Sequence, residues 1–371
     1  MVRIVEVKLT LKSPTILSER RSASGYLGTL DYIPPTTLRG AVLTSLYTQG
    51  KIREEKLREE DARPRLIASP AYPIVPQGKK SRPATPFIWE CKVCKMESDQ
   101  SKNVDKEGKY ILNREEDFVK KIYDAAPLNI PSECEKGHRA LKPLHPTPIP
   151  RVERVITRHM SVSINKSRGV AVKGMLYSYD IILPPQTYWA TLLIPDEYGV
   201  DSRFEVRVGR GSSRGFGVAE IEVQSEINLE EKAEEYYSYV KGDTIVAVAT
   251  SPTLEGGSNP QPYRRTIAVS KVAEQLGLNI TNCVLYVEKV YGKTVRMKGG
   301  WNILKDVPRP DYYAKVQGSI VSARVDAKDR KDAAMGLAAL AFYGTIEELE
   351  GDIITGANML RPALEVIKDA P

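Results

Sequence analysis

The chain is poor in cysteine and histidine. Its 371 residues include four cysteines and three histidines. So few cysteines in a chain of this length exclude a fold built on disulfide bonds. Histidine is the side chain most often recruited for general acid–base catalysis, so the sequence offers few candidates for that chemistry.

Long apolar runs are absent as well. No stretch approaches the roughly 20 apolar residues that a membrane-spanning helix needs. The first residues, MVRIVEVKLTLKS, alternate apolar and polar side chains, which predicts a β-strand, whereas a secretion signal carries a continuous apolar segment. We therefore expect a cytoplasmic protein that does not contact a membrane. A length of 371 residues, 42% of them hydrophobic, is sufficient for two domains.

Acidic residues are in the minority. The chain carries 54 Lys and Arg against 47 Asp and Glu, a formal net charge of +7. Between residues 151 and 214, ten basic residues stand against six acidic ones, so this window holds more than half of the surplus. A basic balance favours a polyanionic partner, because phosphate contacts by Lys and Arg release condensed counterions. A solvated basic surface is the alternative.

The periodicity of apolar residues predicts an α+β fold. Residues 2–11 alternate as a strand. In the helix that follows, one face carries Leu38, Ala41, Val42, Ser45 and Leu46 at i, i+3, i+4, i+7 and i+8. The order strand, helix, strands, helix returns in the second half, where helices are predicted at 266–276 and 332–343. We expect two α+β domains with antiparallel sheets.

The predicted domain boundaries follow changes in composition. The N-terminal domain covers residues 1–225 and contains an insertion rich in proline and charge at 83–148. An acidic helix at 226–242 links it to a C-terminal domain at 243–371.

The segment Gly209-Arg-Gly-Ser-Ser-Arg-Gly-Phe-Gly217 has four glycines in nine residues. Glycine lets the backbone take positive φ and approach a ligand closely, and successive amide N–H groups can then form an anion-binding concavity. Arg210 and Arg214 would add charge-assisted hydrogen bonds to phosphate. A dinucleotide-binding loop is excluded, because that loop opens a helix and a strand pattern follows here. A flexible surface hairpin is the alternative.

The insertion carries a candidate metal site. Cys91 and Cys94 form a C-x2-C pair, and Cys134 and His138 bracket the run CEKGH. Three thiolates and one imidazole are a common tetrahedral zinc set. Such a closed set leaves no position for a catalytic water, so the zinc would be structural and would fold the insertion. Free or oxidised cysteines are the alternative.

Several segments together resemble the RAMP superfamily, whose members build CRISPR effector complexes. VGRGSSRGFG is similar to the superfamily's glycine-rich loop, and IPPTTLRGAV is similar to its segment at the start of the first helix, with Pro35 where the superfamily often has glycine. SINKSRGVAVKGMLYSYD, GWN at 300–302 and PRPDYYAKVQGSIV at 308–321 resemble the RAMP subunit of type III-D systems. These segments span most of the chain in the expected order.

The resemblance implies ferredoxin-like (RRM-like) RAMP domains. We therefore expect two such domains, the first of which carries the zinc-knuckle insertion predicted from its Cys and His residues. The resemblance also implies a subunit that caps the 5′-tag end of the guide RNA (crRNA), beside the large polymerase-like subunit and the repeated backbone subunit. The tip at 165–174 would correspond to a thumb-like hairpin, with a solvated β-turn as the alternative. The residues expected to contact RNA are Arg20, Arg21, Arg39, Arg158, His159, Lys166, Arg168, Lys173, Gly209, Arg210, Gly211, Ser212, Ser213, Arg214, Gly215, Phe216 and Gly217.

We predict that the protein is not an enzyme but a crRNA-binding subunit of a type III interference complex. His145 lies in the proline-rich run LHPTPIP, and His159 lies on the polar face of a predicted strand without a visible base partner. Asp31, in the first long loop, is assigned no catalytic role. Two alternatives stay open. One is an endoribonuclease of the same superfamily that processes crRNA, and the other is a structural protein that only bridges two subunits.

Overall fold

The chain forms two compact units. The computed structural model describes residues 2–22, 25–100, 111–165, 167–275, 277–278, 280, 282–302 and 307–368, with the side chains of 20–22, 25–27, 97–100, 173–175, 275 and 301 left aside. Unit 1 comprises Met1–Lys80 and Arg151–Ile227. Unit 2 comprises Ser81–Pro150 and Asn228–Pro371.

Unit 1 is built on a six-stranded antiparallel sheet. It contains β1 (Val2–Leu11), β2 (Ser18–Ser22), β3 (Gly25–Thr29), α1 (Pro35–Thr48), α2 (Glu54–Ala62), β4 (Ile67–Ala68), β5 (Tyr72–Pro73), β11 (Ile156–Asn165), β12 (Val170–Ile182), β13 (Thr187–Pro195), β14 (Arg203–Arg207) and β15 (Val218–Glu226). The sheet order is β14-β15-β1-β13-β4, and β5 also pairs with β13.

The core of unit 1 follows from the apolar pattern of its sequence. Alternate residues of β1 point inward, and α1 covers them. The five residues predicted on one face of α1 are all buried, so that prediction is confirmed. Helix α1 begins at Pro35, where the missing amide proton costs nothing in the first turn.

A second sheet of unit 1 has the order β11-β12-β3-β2. Strands β11 and β12 form a long antiparallel hairpin, and β12 pairs in parallel with β3. Cross-strand pairs lie on the same face of a sheet, so His159 opposite Tyr179 and Ser161 opposite Tyr177 belong to one face of the hairpin. The other face carries Val162, which pairs with Leu176 and is exposed.

Unit 2 is built on a five-stranded antiparallel sheet with the order β17-β18-β23-β16-β26. It contains β6 (Arg82–Pro83), β7 (Ile88–Cys91), α3 (Lys92–Gln100), β8 (Ile111–Asn113), α4 (Glu115–Tyr123), β9 (Leu141–Pro143), β10 (Pro148–Ile149), α5 (Leu229–Tyr237), β16 (Thr244–Ala249), β17 (Thr266–Ala268), α6 (Val269–Gln275), β18 (Cys283–Tyr291), β19 (Thr294–Met297), β20 (Trp301–Asn302), β21 (Val307–Pro308), β22 (Tyr312–Lys315), β23 (Ile320–Ala327), α7 (Arg330–Tyr343), β24 (Thr345–Leu349), β25 (Asp352–Ala357), β26 (Leu360–Pro362) and α8 (Ala363–Lys368).

The segment predicted as an insertion of the N-terminal domain groups with the C-terminal half of the chain. Phe87, Trp89 and Phe118 of this segment share a hydrophobic core with Val246 and Ile320 of the five-stranded sheet. Its small three-stranded sheet, β8-β7-β9, has too few apolar residues for a core of its own. The segment therefore buries its aromatic residues against the sheet of unit 2.

Two helices differ from their predicted forms. The acidic helix predicted as a linker is α5, and it packs on α7 with the Tyr236 and Phe342 rings stacked 6.2 Å apart between centroids. The helix predicted at 266–276 starts only at Val269, because residues 266–268 pair with β18 as the edge strand β17. Helix α7 agrees with its prediction, and so does the mixed α/β fold with antiparallel main sheets. No helix in the described ranges is long and apolar enough to cross a membrane.

Candidate functional site

The glycine-rich segment is a loop between β14 and β15 with one 3-10 turn at Ser212–Arg214. Its glycines all take positive φ: 83° at Gly209, 78° at Gly211, 85° at Gly215 and 78° at Gly217. Residues with a Cβ rarely adopt this conformation. The spacing of the four glycines is therefore a requirement of the backbone path.

Both ends of the loop are anchored. A Cβ on Gly209 would lie 2.3 Å from the Ile16 carbonyl oxygen, and one on Gly217 would lie 2.1 Å from the Val208 carbonyl oxygen. The amide of Arg210 donates to the Ile16 oxygen at 3.1 Å, and the amide of Gly217 donates to the Pro14 oxygen at 2.9 Å. These contacts do not fit the alternative of a flexible surface hairpin.

Arg214 is held by aromatic rings. Its guanidinium carbon lies 5.1 Å from the centroid of the Tyr179 ring and 5.7 Å from that of Phe216. Its Nη2 donates to the Tyr179 hydroxyl at 3.2 Å. Within the described part of the chain no carboxylate lies at ion-pair distance from this exposed guanidinium. Arg214 thus presents a fixed, uncompensated positive charge.

The loop packs on one face of the β11–β12 hairpin. The Phe216 ring meets the exposed His159 ring edge to face, with centroids 5.6 Å apart, and the Tyr177 and Tyr179 rings meet in the same way at 5.4 Å. We call residues 209–217 together with His159, Tyr177 and Tyr179 the loop–hairpin surface. It joins residues of the basic window 151–214 with four aromatic rings.

Sequence reasoning missed Tyr177 and Tyr179. Their signal was the alternation in LYSYD, which places both side chains on the same face of β12. That these rings meet the glycine loop follows only from the tertiary packing.

The remaining residues predicted to contact RNA differ in their surroundings. Gly211, Gly215, Ser212 and Ser213 belong to the loop itself, and no described acceptor takes the amides of the two serines. Six further residues were predicted to contact RNA: Arg158, Arg168, Lys166, Lys173, Arg20 and Arg21. Arg158 is exposed and its Nε donates to Asp180 at 2.9 Å. Arg168 is exposed at the hairpin tip. Lys166 lies outside the described residues, as do the side chains of Lys173, Arg20 and Arg21.

The prediction for Arg39 does not fit the structure. Its side chain is buried in α1, where Nη2 donates to a Glu60 carboxylate oxygen at 2.7 Å and Nε donates to the Leu66 carbonyl at 2.8 Å. Arg39 therefore neutralises a buried carboxylate, and its guanidinium is not accessible to phosphate.

The residues weighed as catalysts lie in ordinary structural contacts. Asp31 is ion-paired with Arg154. His145 is buried, with Nδ1 2.9 Å from the Ala84 carbonyl and Nε2 accepting from the Lys293 amide at 3.4 Å. Since the carbonyl can only accept, Nδ1 carries the proton and the ring is neutral. Burial lowers the pKa of His145 to about 4.

The predicted metal ligands converge in unit 2. Ligand atoms of Cys91, Cys94, Cys134 and His138 all lie within 4.8 Å of one another. Cys91 ends β7 and Cys94 lies in the first turn of α3. A tight turn with Gly137 at φ 77° brings Cys134 next to His138.

The distances within this Cys/His cluster fit a tetrahedral zinc ion. Bond lengths of about 2.3 Å to sulfur and 2.0–2.1 Å to nitrogen imply S–S edges of about 3.8 Å and S–N edges of about 3.6 Å. Cys94 Sγ lies 3.8 Å from Cys134 Sγ and 3.3 Å from His138 Nδ1. Cys91 Sγ lies 3.8 Å from His138 Nδ1.

The thiols of the cluster have unequal acidities. Burial raises the pKa of Cys94 to about 12, together with hydrogen bonds to the thiols of Cys91 and Cys134. Burial also acts to raise the pKa of Cys134, but the backbone amides of His138 and Lys136 outweigh it and that pKa falls to about 7. Three thiolates this close repel one another, so a cation is the group that would let all three ionise.

The chain matches one protein superfamily by sequence and is similar to several solved structures. A sequence profile of the RAMP superfamily matches residues 8–220, and none of the curated proteins matches the chain. Among solved structures, a chain of the type III-B Cmr-beta complex bound to cognate target RNA is similar at 14% identity and a TM-score of 0.44, over 85% of this chain and 86% of that chain. A chain of the Csm3-Csm4 subcomplex of the type III-A CRISPR-Cas interference complex is similar at 12% identity and a TM-score of 0.36, over 96% and 99%. Oligomeric Cmr4 from Pyrococcus furiosus is similar at 11% identity and a TM-score of 0.27, over 61% and 99%.

Proposed function

Because this chain belongs to the RAMP superfamily, we propose that it is a non-catalytic crRNA-binding subunit of a type III CRISPR interference complex. The observation that carries the proposal is the loop–hairpin surface. Four positive-φ glycines shape the loop that holds Arg214 at an exposed position, where no carboxylate of the described residues pairs with it. A fixed guanidinium of this kind suits a phosphate group, which it can bind with charge-assisted hydrogen bonds.

More specifically, the subunit would hold the 5′ tag of the crRNA in a III-D-like complex. The support for this assignment is the resemblance of the hairpin segment and of residues 308–321 to the type III-D subunit. On this proposal the neighbours are the large polymerase-like subunit and the repeated backbone subunit, and the two units are ferredoxin-like RAMP domains. The superfamily match over residues 8–220, which include most of unit 1 and the segment 81–150 of unit 2, supports a RAMP domain in the first half of the chain.

We further propose that the Cys/His cluster holds one structural zinc ion. Cys91, Cys94, Cys134 and His138 would supply all four ligands, so no position is left for a reacting water. The ion would tie β7 and the first turn of α3 to the Cys134–His138 turn. Its role would be to hold this segment of unit 2 together.

One binding experiment separates the proposal from its two alternatives. Purified protein is incubated with labelled CRISPR repeat RNA, and binding and integrity of the RNA are followed by gel shift and denaturing gel. RNA that is bound and intact supports the crRNA-binding subunit. Cleaved RNA would favour a processing endoribonuclease, and RNA that is ignored would favour a bridging protein.

A further inference from the structure

We infer that the His159 and Tyr177 rings of the loop–hairpin surface stack on unpaired bases of the bound RNA, beside a phosphate held by Arg214. This inference rests on the proposed function and names the side chains that would contact the bases. It begins from the uneven composition of the two faces of the hairpin. One face carries His159, Tyr177 and Tyr179, whereas the other exposes aliphatic side chains such as Val162 and Leu176.

The rings are arranged so that some of their faces stay open. The contacts of Phe216 with His159 and of Tyr177 with Tyr179 are both edge to face, at interplanar angles of 70° and 85°. Such a contact covers one face of only one ring in each pair. His159 is exposed and Tyr177 is partly exposed, whereas Tyr179 is buried. His159 and Tyr177 are therefore the two hairpin rings that a base can reach.

The spacing of the rings fits an extended strand. His159 lies opposite Tyr179 and Tyr177 lies opposite Ser161, so His159 and Tyr177 are diagonal neighbours on adjacent strands, about 7–8 Å apart. Successive bases of a duplex lie only about 3.4 Å apart along the axis, and their faces are covered by neighbouring base pairs. Rings at twice that spacing suit bases that have separated from one another.

Arg214 supplies the phosphate contact in this arrangement. Its guanidinium lies on the Tyr179 and Phe216 rings and is bonded to the Tyr179 hydroxyl, so little side-chain freedom remains to be lost on binding. The stacking rings thus flank a fixed positive charge.

The test compares three labelled probes on the full-length protein. The probes are a single-stranded oligoribonucleotide, the same strand annealed to its complement, and an abasic ribose-phosphate strand of equal length. We expect the parent to prefer the single strand with bases over both other probes. His159→Ala and Tyr177→Ala should each weaken that binding about tenfold, with no effect on the abasic strand.

The aromatic replacements His159→Phe and Tyr177→Phe are the matched variants. They keep a ring and should bind the single strand within about twofold of the parent. Melting of every variant is measured beside binding. If the alanine variants stay folded and bind like the parent, or if the duplex binds equally well, the stacking inference is overturned while the RNA-binding proposal survives. If the parent binds none of the three probes, both are rejected.

Discussion

The glycine-rich loop and the Cys/His cluster are both short motifs in the sequence, but the molecule builds them in opposite ways. The loop depends on what its glycines lack: Gly209 and Gly217 have no Cβ, and the chain passes where a Cβ would collide with a carbonyl oxygen. The cluster depends on what its residues carry, because four ligand atoms converge from two separate pieces of chain, residues 91–94 and 134–138. We call the glycine-rich loop the shape site, because the path of its backbone defines it, and the Cys/His cluster the ligand site, because its donor atoms define it. The two sites should therefore respond differently to substitution.

Two arginines show the same contrast for charge. Arg214 lies exposed on aromatic rings, whereas Arg39 is buried against Glu60. Both arginines directly precede a glycine, Gly215 and Gly40, and both were predicted from the sequence to contact RNA. The surroundings that the fold supplies decide which arginine can serve a ligand and which one neutralises a buried carboxylate.

The largest expected effect is on the ligand site. Cys91→Ser combined with Cys94→Ser should remove the single zinc per chain and lower the melting temperature sharply, because structural zinc sites contribute on the order of 10 kcal/mol of folding free energy. The control is Cys283→Ala, which alters a buried cysteine outside the cluster. Elemental analysis and melting of untagged protein provide the measurement. A parent without zinc, or a double variant that keeps it, would contradict the zinc assignment.

The next effect concerns the shape site. Gly217→Ala should lower the free energy of unfolding by about 3 kcal/mol, because the new Cβ adds a collision with the Val208 carbonyl to the strain of positive φ. Gly215→Ala meets only the strain of positive φ and should cost about 1 kcal/mol. Urea unfolding measures both. Equal losses would show that the close approach at Gly217 is not a constraint.

Acid should destabilise the segment 81–150, which contains the Cys/His cluster, through His145, which is not one of the predicted metal ligands. His145 has a pKa of about 4 in the fold and about 6.5 when unfolded, so the unfolded chain takes up the proton first as the pH falls. The contribution of neutral His145 to the free energy of unfolding is present in full above pH 6.5 and is lost progressively down to pH 4. At pH 5 this contribution has fallen by about 2 kcal/mol.

The variant His145→Asn isolates this contribution from the titration of the cluster. Urea unfolding of parent and variant at pH 7.5 and pH 5 gives the measurement. We expect the parent to lose more stability than the variant over this interval. If both lose the same amount, another group is responsible for the acid sensitivity.

Smaller changes are expected when charge alone is removed from the loop. Arg210→Ala and Arg214→Ala should each lower the slope of log affinity against log salt by about 0.7 on single-stranded RNA, for every RNA sequence. Arg58→Ala, an exposed arginine of α2 paired with Glu54, is the control. RNA titrations at several salt concentrations measure the slope. Unchanged slopes in folded variants would make the loop a bystander in RNA binding.

No effect is expected on the cleavage of RNA. His159→Phe and Asp31→Asn should leave any RNA-cleaving activity of the reconstituted complex unchanged at saturating protein, because Asp31 is engaged with Arg154 and His159 contacts a phenylalanine. Single-turnover rates provide the measurement. Removal of a general base costs about two decades or more in rate, and a loss on that scale would show that the substituted residue is catalytic.

Much of the fold could be predicted from periodicity. Strand β1 has the predicted bounds, and the apolar face of α1 is buried as expected, because alternation and helical spacing are local properties of the chain. The predicted start of α6 was wrong because residues 266–268 pair with β18. Helix and strand propensities are local, so they do not show that a segment will pair with a strand farther along the chain. The position of the segment 81–150 in unit 2 depends on where its aromatic residues find a partner surface.

The sequence by itself determined the residue types of both sites. The Cys and His spacing specified a zinc-like donor set, and the loop glycines specified a backbone with positive φ. Tertiary structure alone decided that Arg214 faces solvent while Arg39 is buried, and that Tyr177 and Tyr179 lie beside the loop. The physical reason is that burial and cross-strand contact join residues far apart in the chain, and composition or periodicity carries no record of those partners.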